Sequence, residues 1–449
     1  MTDDIIAKYG DARLPRYTSY PTAPKFSSDI GAPDYAGWIK GIGAGTTSLY
    51  LHIPFCRSMC WYCGCHTTIT EKDQPILDYL DILKREIGMV TTHAGNALDV
   101  REIHFGGGTP TIIDPRDFAG LMALLRQHYR VHSKANVSVE IDPRTLTMDM
   151  AAALGEGGVT RASLGVQSFD PVVQKAINRT QSEETTAAAV AALRRNGVGG
   201  INFDLIYGLP HQTVASCRET VEAAIAMRPD RFSVFGYAHI PSFKKHQRLI
   251  DEEALPNAQQ RHEQAEAMAQ ALVAAGYRRI GLDHFALPED ELAIAAENGR
   301  LRRNFQGYTT DNCDALLGFG ASSIGRLADG YVQNEVPPGS YARKVSSGEL
   351  PTSKGYRLTH EDRLRGHVIE RLMCDFAADI PAIAAAHGIS PDVLLKPNQR
   401  LRDMAADGLI SIQDGVVRLE GAHRFLVRTV AATFDSYLAD IQRTFSKAA

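Results

Sequence analysis

The sequence has no run of 18 apolar residues, the length a membrane-spanning helix requires, so no membrane insertion is expected. Neither sign of charge is in excess: 48 Lys and Arg face 52 Asp and Glu, a formal net charge of −4. That balance offers no basis for non-specific nucleic-acid binding. Internal repeats and low-complexity tracts are missing. With 44% hydrophobic and 22% charged residues, disorder and collagen-like repetition are excluded. The opening MTDDIIAKYGDARLPRY lacks the apolar core of a secretory signal, so a cytoplasmic location is expected. Cysteine is scarce, with seven in 449 residues, yet four of them lie between Cys56 and Cys65. In a reducing compartment such a group is not a disulfide framework; it points to metal or redox chemistry.

A chain of this length suggests about three domains, or one large α/β domain with additions at its ends. Residues 1–45 read as an N-terminal arm, extended except for a short helix near Tyr35–Ile42. From Ser48 onward, short β-branched and aromatic runs recur at Leu49–Ile53, Glu102–Phe105, Val137–Ile141, Ala162–Val166, Ile201–Ile206 and Phe232–Tyr237. Each reads as a strand. Helical spacing of apolar residues lies between them, at Pro75–Thr92, Arg116–Tyr129, Met148–Leu154, Glu183–Asn196 and Val214–Ala226, and again at Pro256–Ala275. Strands alternating with helices imply a parallel sheet with right-handed crossovers. Six units suit a partial (β/α)6 barrel. Polar and glycine residues gather just after the strands (His52, Gly106–Thr109, Asp142, Gln167, Asp204, Gly208, His239), where parallel α/β folds carry their sites.

Residues 295–345 read as long loops closing over that site. The catalytic part is taken as 46–355. Residues 356–449 then form a helical domain, opened by the capping-box pattern Thr359-x-x-Asp362. Leu364, Val368, Leu372 and Phe376 make one apolar face. Short helices follow at Ile380–Ala386 and Asn398–Ala406. A hairpin is expected from Leu409–Ile412, an Asp414-Gly415 turn and Val416–Leu419, then a helix from Ala422 to Ile441. The pattern is winged-helix-like, but no concentrated basic face accompanies it, so nucleic-acid binding is not expected.

The cysteines are spaced C-x-x-x-C-x-x-C-x-C on the loop after the first strand. Three thiolates within eight residues can hold a [4Fe–4S] cluster and leave one iron open. A structural zinc site made of four thiolates is the alternative, although such sites usually use two separated pairs. Cys217, Cys313 and Cys374 are isolated and read as buried packing thiols.

C-x-x-x-C-x-x-C after a first strand resembles the signature of the radical S-adenosylmethionine (SAM) enzymes. The N-terminal RYTSYPTA, then YLHIPFC, the CGC ending, HFGGGTPT, EIDPR, LGVQSFD, INRTQ, FDLIYGLPHQT, YAHIP, DHFA and NFQGYTT occur together and in order. That set resembles the oxygen-independent coproporphyrinogen III oxidases, and the resemblance runs from about Tyr17 to Tyr437. The resemblance implies a [4Fe–4S] cluster on Cys56, Cys60 and Cys63, and two SAM molecules. The first SAM would touch Tyr50, Gly107, Glu140 and Ile324. The second would touch Tyr62, Gly108, Thr109, Gln167, Arg179, Asp204 and Ala238. Cys65 is that family's extra cysteine. His52, Cys65 and Gln306 are the remaining candidates for a role in catalysis.

The implied substrate is coproporphyrinogen III, two of whose propionates become vinyl groups to give protoporphyrinogen IX. The implied partners are a flavodoxin- or ferredoxin-like electron donor and an electron acceptor of unknown identity, with the chain a monomer. Four substrate carboxylates call for cations, and Arg13, Arg16, Lys244, Lys245, Arg302 and Arg303 lie in segments that could cover a pocket. The rival readings are a haem-carrying paralogue of the same family, a haem-modifying radical SAM enzyme and a zinc-stabilised interaction protein. The paralogues typically lack the CGC cysteine and the RYTSYPTA arm, both of which this chain has.

Overall fold

The six β-branched and aromatic segments form parallel strands. A computed structural model describes residues 5, 8–10, 12–95, 97–396 and 398–440. The strands β1 (Thr46–Ile53), β2 (Asp99–Gly107), β3 (Arg130–Ile141), β4 (Arg161–Gln167), β5 (Gly200–Tyr207) and β6 (Arg231–Gly236) lie side by side in chain order. Every adjacent pair is parallel. Helices Gln74–Ala94, Pro115–His128, Met148–Glu156, Glu183–Arg195 and Val214–Ala226 connect them, and Ala258–Ala274 follows β6. This is the expected α/β arrangement of six strand–helix units.

Strand β1 is buried on both faces apart from Thr46 and Tyr50, as a parallel sheet covered by helices requires. Helix Gln74–Ala94 shows how the cover is specified. Ile76, Tyr79, Leu80, Leu83, Ile87 and Val90 recur at helical spacing and are buried. Gly95, at φ 71°, then ends the helix in a left-handed cap.

The contacts divide the chain into two compact units. One comprises Ser27–Ala275 and Asp311–Arg357; the other comprises the chain up to Phe26, Gly276–Thr310 and Leu358 onward.

The long loops expected over 295–345 are a correction. The segment carries β7 (Ala315–Phe319), β8 (Ile324–Leu327), β9 (Gly330–Asn334) and helix Pro338–Ser346, and is followed by β10 (Thr352–Arg357). It also carries a hairpin of Arg302–Asn304 with Gly307–Thr309. β7 lies parallel to β1 on the edge opposite β2, pairing Thr47 with Ala315 and Tyr50 with Gly318. β8, β9 and β10 then extend that side antiparallel. These strands are four to six residues long and contain glycine, so no alternation marks them. β7 is buried at all five positions by neighbours that only the fold supplies. β3 is also longer than expected. Its first half, Arg130–Asn136, is polar and half exposed, and carries no strand signature.

In the other unit, Tyr9, Leu14, Tyr17 and Tyr20 share a core with Leu364, Val368, Leu372, Ile383, Met404, Val417 and Phe434. The expected hairpin is present as Ile410–Gln413 and Val416–Leu419, with Ala377–Asp379 added as a third antiparallel strand. Asp414 and Gly415, at φ 50° and 79°, make the tight turn. Phe376 is not on the buried helical face; at φ 57° it is the left-handed cap of helix His360–Asp375. The helix expected at Ala422–Ile441 is also a correction. The chain there forms short turns at Gly421–Leu426, Val427–Ala431, Ala432–Phe434 and Leu438–Asp440, broken at His423. Ile441 lies outside the described residues.

The capping box is present. Thr359 Oγ1 accepts from Asp362 N at 3.1 Å, and Asp362 Oδ2 accepts from Thr359 N at 2.8 Å. Thr359→Ala is expected to cost this unit about 1 kcal/mol, read as a lower denaturant midpoint at unchanged slope.

Candidate active site

The cysteine loop leaves the C-terminal end of β1 and is pinched at its base. Phe55–Cys56 bridges to Thr68–Ile69, with Thr68 N donating to Pro54 O and Thr70 N to Cys56 O. Aromatic residues anchor its crown. Trp61 and Tyr62 pack against Val173, Ile177, Ile206, Leu209 and Tyr237, and Trp61 N donates to Ile177 O at 2.9 Å. Asn178 Nδ2 donates to Met59 O at 2.8 Å. A loop held at both ends presents its thiols in one arrangement.

Each of three sulfurs has its own polar neighbour. Cys56 Sγ lies 3.3 Å from Thr109 Oγ1. Cys60 Sγ accepts from Arg144 Nη2 at 3.6 Å and from Arg179 Nη1 at 3.5 Å. Cys63 Sγ accepts from Cys65 N at 3.4 Å. Hydrogen bonding from Cys65 pulls the Cys63 thiol down to about 6 and pushes the Cys65 thiol up. Burial pushes Cys56 up to about 11.

The two guanidiniums are themselves fixed. Arg144 grips Asp142 through Nε and Nη2 at 2.9 and 2.6 Å. Arg179, 5% exposed, reaches both Asp142 oxygens at 3.3 Å and donates to Gly165 O at 2.5 Å. Its Nε is buried with no partner among the described residues. Burial would raise the Asp142 carboxyl; the hydrogen bond from Arg144 and the charges of both arginines outweigh it and hold Asp142 low.

The glycines at the C-terminal end of β2 are pressed against the base of the loop. A Cβ on Gly107, at φ 124°, would lie 2.7 Å from Ile53 O. One on Gly108 would lie 2.6 Å from Phe55 O. Only glycine fits there. Gly107 N donates to Glu140 Oε2 at 3.0 Å, and Glu140 Oε1 lies 3.3 Å from His104 Nε2. Burial works against the Glu140 carboxylate, but His104 and the Gly107 N–H hold its proton affinity below the ordinary value. Tyr50 stacks on His104 with ring centroids 5.6 Å apart, and its OH meets His52 Nδ1 at 3.0 Å. Burial keeps the His52 ring neutral by pushing its pKa down.

Gln167, at φ 67°, sits in a backbone region that non-glycine residues seldom adopt, at the end of β4. It lies beside Arg179: a Cβ on Gly165 would be 2.7 Å from Gln167 Nε2 and 3.1 Å from Arg179 Nη2. Asp204 accepts from Ser163 Oγ and Asn202 Nδ2, both at 2.9 Å, and burial pushes its carboxyl up. Ala238 O accepts from Gln247 Nε2 at 3.2 Å. Ile324 begins β8 against Gly318, the residue that pairs with Tyr50.

These residues thus share one end of one sheet. A cavity of about 360 Å³ opens beside them, lined by Cys56, Arg57, Thr109, Thr111, Asp142 and Arg144. Gln306 belongs to the other unit, in the turn of the Arg302–Asn304 hairpin, with its N–H on Asn304 Oδ1. Of the candidate cations, Lys244 donates to Cys65 O, Arg302 pairs with Glu370 at 3.0 Å, and Arg303 stacks over Tyr308. Asp142 is one of the polar residues that follow the strands, whereas Arg144 in EIDPR and His104 in HFGGGTPT carry no such mark in the sequence. The contacts of Lys244, His246 and Gln247 with the loop had no sequence signal, since about 180 residues separate them from it.

The donor set fits an iron–sulfur cluster. Three thiols on one loop each have a polar neighbour at the sulfur, which is how protein groups support a cluster's thiolates. No described helix is long and apolar enough to cross a membrane.

The radical SAM superfamily model matches residues 50–224, and the HemN C-terminal domain model matches residues 358–426. The chain is 56% identical to the oxygen-independent coproporphyrinogen III oxidase of Bradyrhizobium diazoefficiens, over 100% of both chains. It is 42% identical to the oxidase of that name from Pseudomonas aeruginosa, covering 98% of this chain and 96% of the other. Coproporphyrinogen III oxidase (HemN) from Escherichia coli, described as a radical SAM enzyme, superimposes with a TM-score of 0.90. That match has 37% identity and covers 95% of this chain and 100% of the other. From its thiol loop to its C-terminal unit, the chain belongs to the family of oxygen-independent coproporphyrinogen III oxidases.

Proposed function

We propose that this chain converts coproporphyrinogen III to protoporphyrinogen IX without oxygen, by oxidative decarboxylation of two propionates. The observation that carries the reading is the cysteine loop: three thiols with separate polar neighbours, at the C-terminal end of a parallel sheet, in a chain alike end to end with oxidases of that name. Cys56, Cys60 and Cys63 hold the cluster. Tyr50, Gly107, Glu140 and Ile324 line a first SAM site. Tyr62, Gly108, Thr109, Gln167, Arg179, Asp204 and Ala238 line a second. The chain acts as a monomer in the cytoplasm, supplied by a flavodoxin- or ferredoxin-like donor.

When bound, the reduced cluster and SAM supply a carbon radical able to take an unactivated hydrogen. At each propionate, a hydrogen atom leaves the β-carbon, the Cα–carboxylate bond breaks, CO₂ departs, and the vinyl double bond forms. One electron remains and passes to an acceptor.

The protein's part is placement. Gly107 and Gly108 let the backbone come close to a ligand, and Glu140 is held ionised as an acceptor for hydroxyl or ammonium groups. Arg144 and Arg179 offset thiolate charge at Cys60. Phe55 and Cys60 are buried, and the aromatic crown of Trp61 and Tyr62 packs beside them, limiting the water that reaches the loop.

Anaerobic turnover with reconstituted cluster, reductant, SAM and coproporphyrinogen III tests the proposal. Protoporphyrinogen, CO₂ and 5′-deoxyadenosine are expected together. A colourless protein carrying zinc and no iron would sink it. Gly108→Ala forces Phe55 backbone aside, and is expected to weaken SAM binding about tenfold, measured by equilibrium dialysis on the oxidised holoprotein.

A further inference from the structure

The segment after β6 returns to the cysteine loop and takes hold of its backbone. Lys244 Nζ donates to Cys65 O at 2.9 Å, and His246 Nε2 donates to Cys63 O at 2.7 Å. Gln247 Nε2 donates to Tyr62 O at 3.0 Å and to Ala238 O at 3.2 Å. Gln247 is 1% exposed, and its Oε1 accepts from Ile240 N at 2.6 Å. Its amide is therefore fully engaged, and its orientation is fixed by donors on one side and acceptors on the other.

Three side chains from one short segment, Lys244–Gln247, thus capture three carbonyls within four residues of loop. All three belong to the second half of the loop, from Tyr62 to Cys65. The first half is held differently, by the Phe55–Thr68 bridge and by Asn178. A carbonyl-only clasp has a chemical consequence. It restrains the backbone that carries Cys63 without spending a donor on the Cys63 sulfur. It also places an ammonium beside the loop, where an added electron would be felt.

We propose that Lys244, His246 and Gln247 form a positioning clasp for the Cys63 half of the loop. Gln247 braces it mechanically, and the Lys244 cation raises the reduction potential of the cluster the loop carries. The inference rests on the reading that Cys56, Cys60 and Cys63 bind a [4Fe–4S] cluster. One-electron reduction adds a negative charge at the cluster, and a nearby cation stabilises that reduced form. Removing the ammonium therefore makes reduction harder. Removing the Gln247 amide leaves Tyr62 O and Ala238 O without that donor, so the loop opens more readily and the cluster is exposed to chelators.

The test uses the full-length, anaerobically reconstituted protein without substrate. Redox titration followed by electron paramagnetic resonance compares wild type, Lys244→Met and Lys244→Arg. The Met variant is expected at a more negative midpoint, with Arg returning it toward wild type. Separately, iron release to a chelator compares wild type with Gln247→Leu, whose melting temperature is checked first. Release about tenfold faster is expected, within the range that outer-shell changes at metal sites produce. Should Gln247→Leu fail to fold, Gln247→Glu takes its place: it can still accept from Ile240 N, while its carboxylate cannot donate to Tyr62 O. A Met variant at the wild-type midpoint, or a brace variant with wild-type release, overturns the clasp while leaving the cluster reading intact. A wild-type protein that assembles no four-iron cluster overturns both together.

Discussion

Cys60→Ser is expected to abolish turnover, with activity down at least about a thousandfold, beyond the ten- to hundredfold typical of outer-shell changes at metal sites. Cys60 is the sharpest choice among the loop thiols. It is 8% exposed, and two guanidiniums converge on its sulfur. A serine oxygen is a hard, poorly acidic donor that does not replace thiolate at iron. The change also takes away the sulfur that accepts from Arg144 and Arg179. Arg179 is buried, and a buried donor left without its acceptor costs about 1–3 kcal/mol. The expected result is therefore double: iron content falls on reconstitution, and the melting temperature of the metal-free protein also falls. Iron analysis and a thermal melt on the same preparation check it. Cys217→Ser is the control. Its thiol is fully buried away from the loop, and turnover is expected to stay within about twofold, with a stability cost of about 1 kcal/mol for the buried hydroxyl. Full iron and wild-type turnover in Cys60→Ser would remove that residue from the site.

The second large effect is on stability, and it depends on pH. Glu86 is fully buried on helix Gln74–Ala94. Its Oε2 accepts from Gly320 N and Tyr341 OH, each at 2.7 Å, and its Oε1 accepts from Asn334 Nδ2 at 2.6 Å. Three donors favour the carboxylate, but burial outweighs them and pushes the carboxyl from 4.5 up to about 7. An acid whose proton is held more tightly in the folded state stabilises the fold at low pH. Its contribution is complete below about pH 4.5 and is lost as pH rises to about 7. The change amounts to about 3 kcal/mol. Glu86→Gln copies the neutral form and cannot titrate. The stability difference between wild type and Glu86→Gln should therefore move in the variant's favour by about 3 kcal/mol between pH 4.5 and 7.5. In melting temperature that is about 6–12 °C. Parallel melting curves across that range would show that Glu86 keeps an ordinary pKa.

This carboxyl also sits where stability meets the site. Gly320 and Ala321 form the turn between β7 and β8. Tyr79 OH ties that turn to β1, accepting from Ala321 N and donating to His52 O. Loosening Glu86 loosens the backbone on which His52 and Ile324 are carried.

Much of this was legible in the amino acids. The six parallel strands announce themselves because each concentrates β-branched, aromatic and other apolar residues in a short run, as Leu49–Ile53 and Ile201–Ile206 do. The cysteine loop is visible because cluster ligation by one loop demands close spacing in sequence. The same is true of the GGGT segment that ends β2, where the backbone must pass beside Ile53 and Phe55. The hairpin at Asp414-Gly415 is read from turn chemistry alone.

Other features had no local signature. β7 looks like a loop because ALLGF is too short to show a period, and its burial arises only from β1 beside it and the helices around it. Glu86 reads as a surface charge on an amphipathic helix, because its partners Gly320, Asn334 and Tyr341 lie 234 to 255 residues away. Arg179 offers no hint that it reaches Cys60 across 119 residues. The sequence by itself determined the strand–helix alternation, the thiol spacing and the family, since each depends on residues close together or on motifs kept in order. Only the tertiary structure decided which distant polar groups meet: Arg144 and Arg179 at Cys60, the Lys244–Gln247 clasp on the loop, and three donors around Glu86. Hydrogen bonds and charges act over a few ångströms in space, and nothing in a linear chain records which separated residues the fold will bring within that reach.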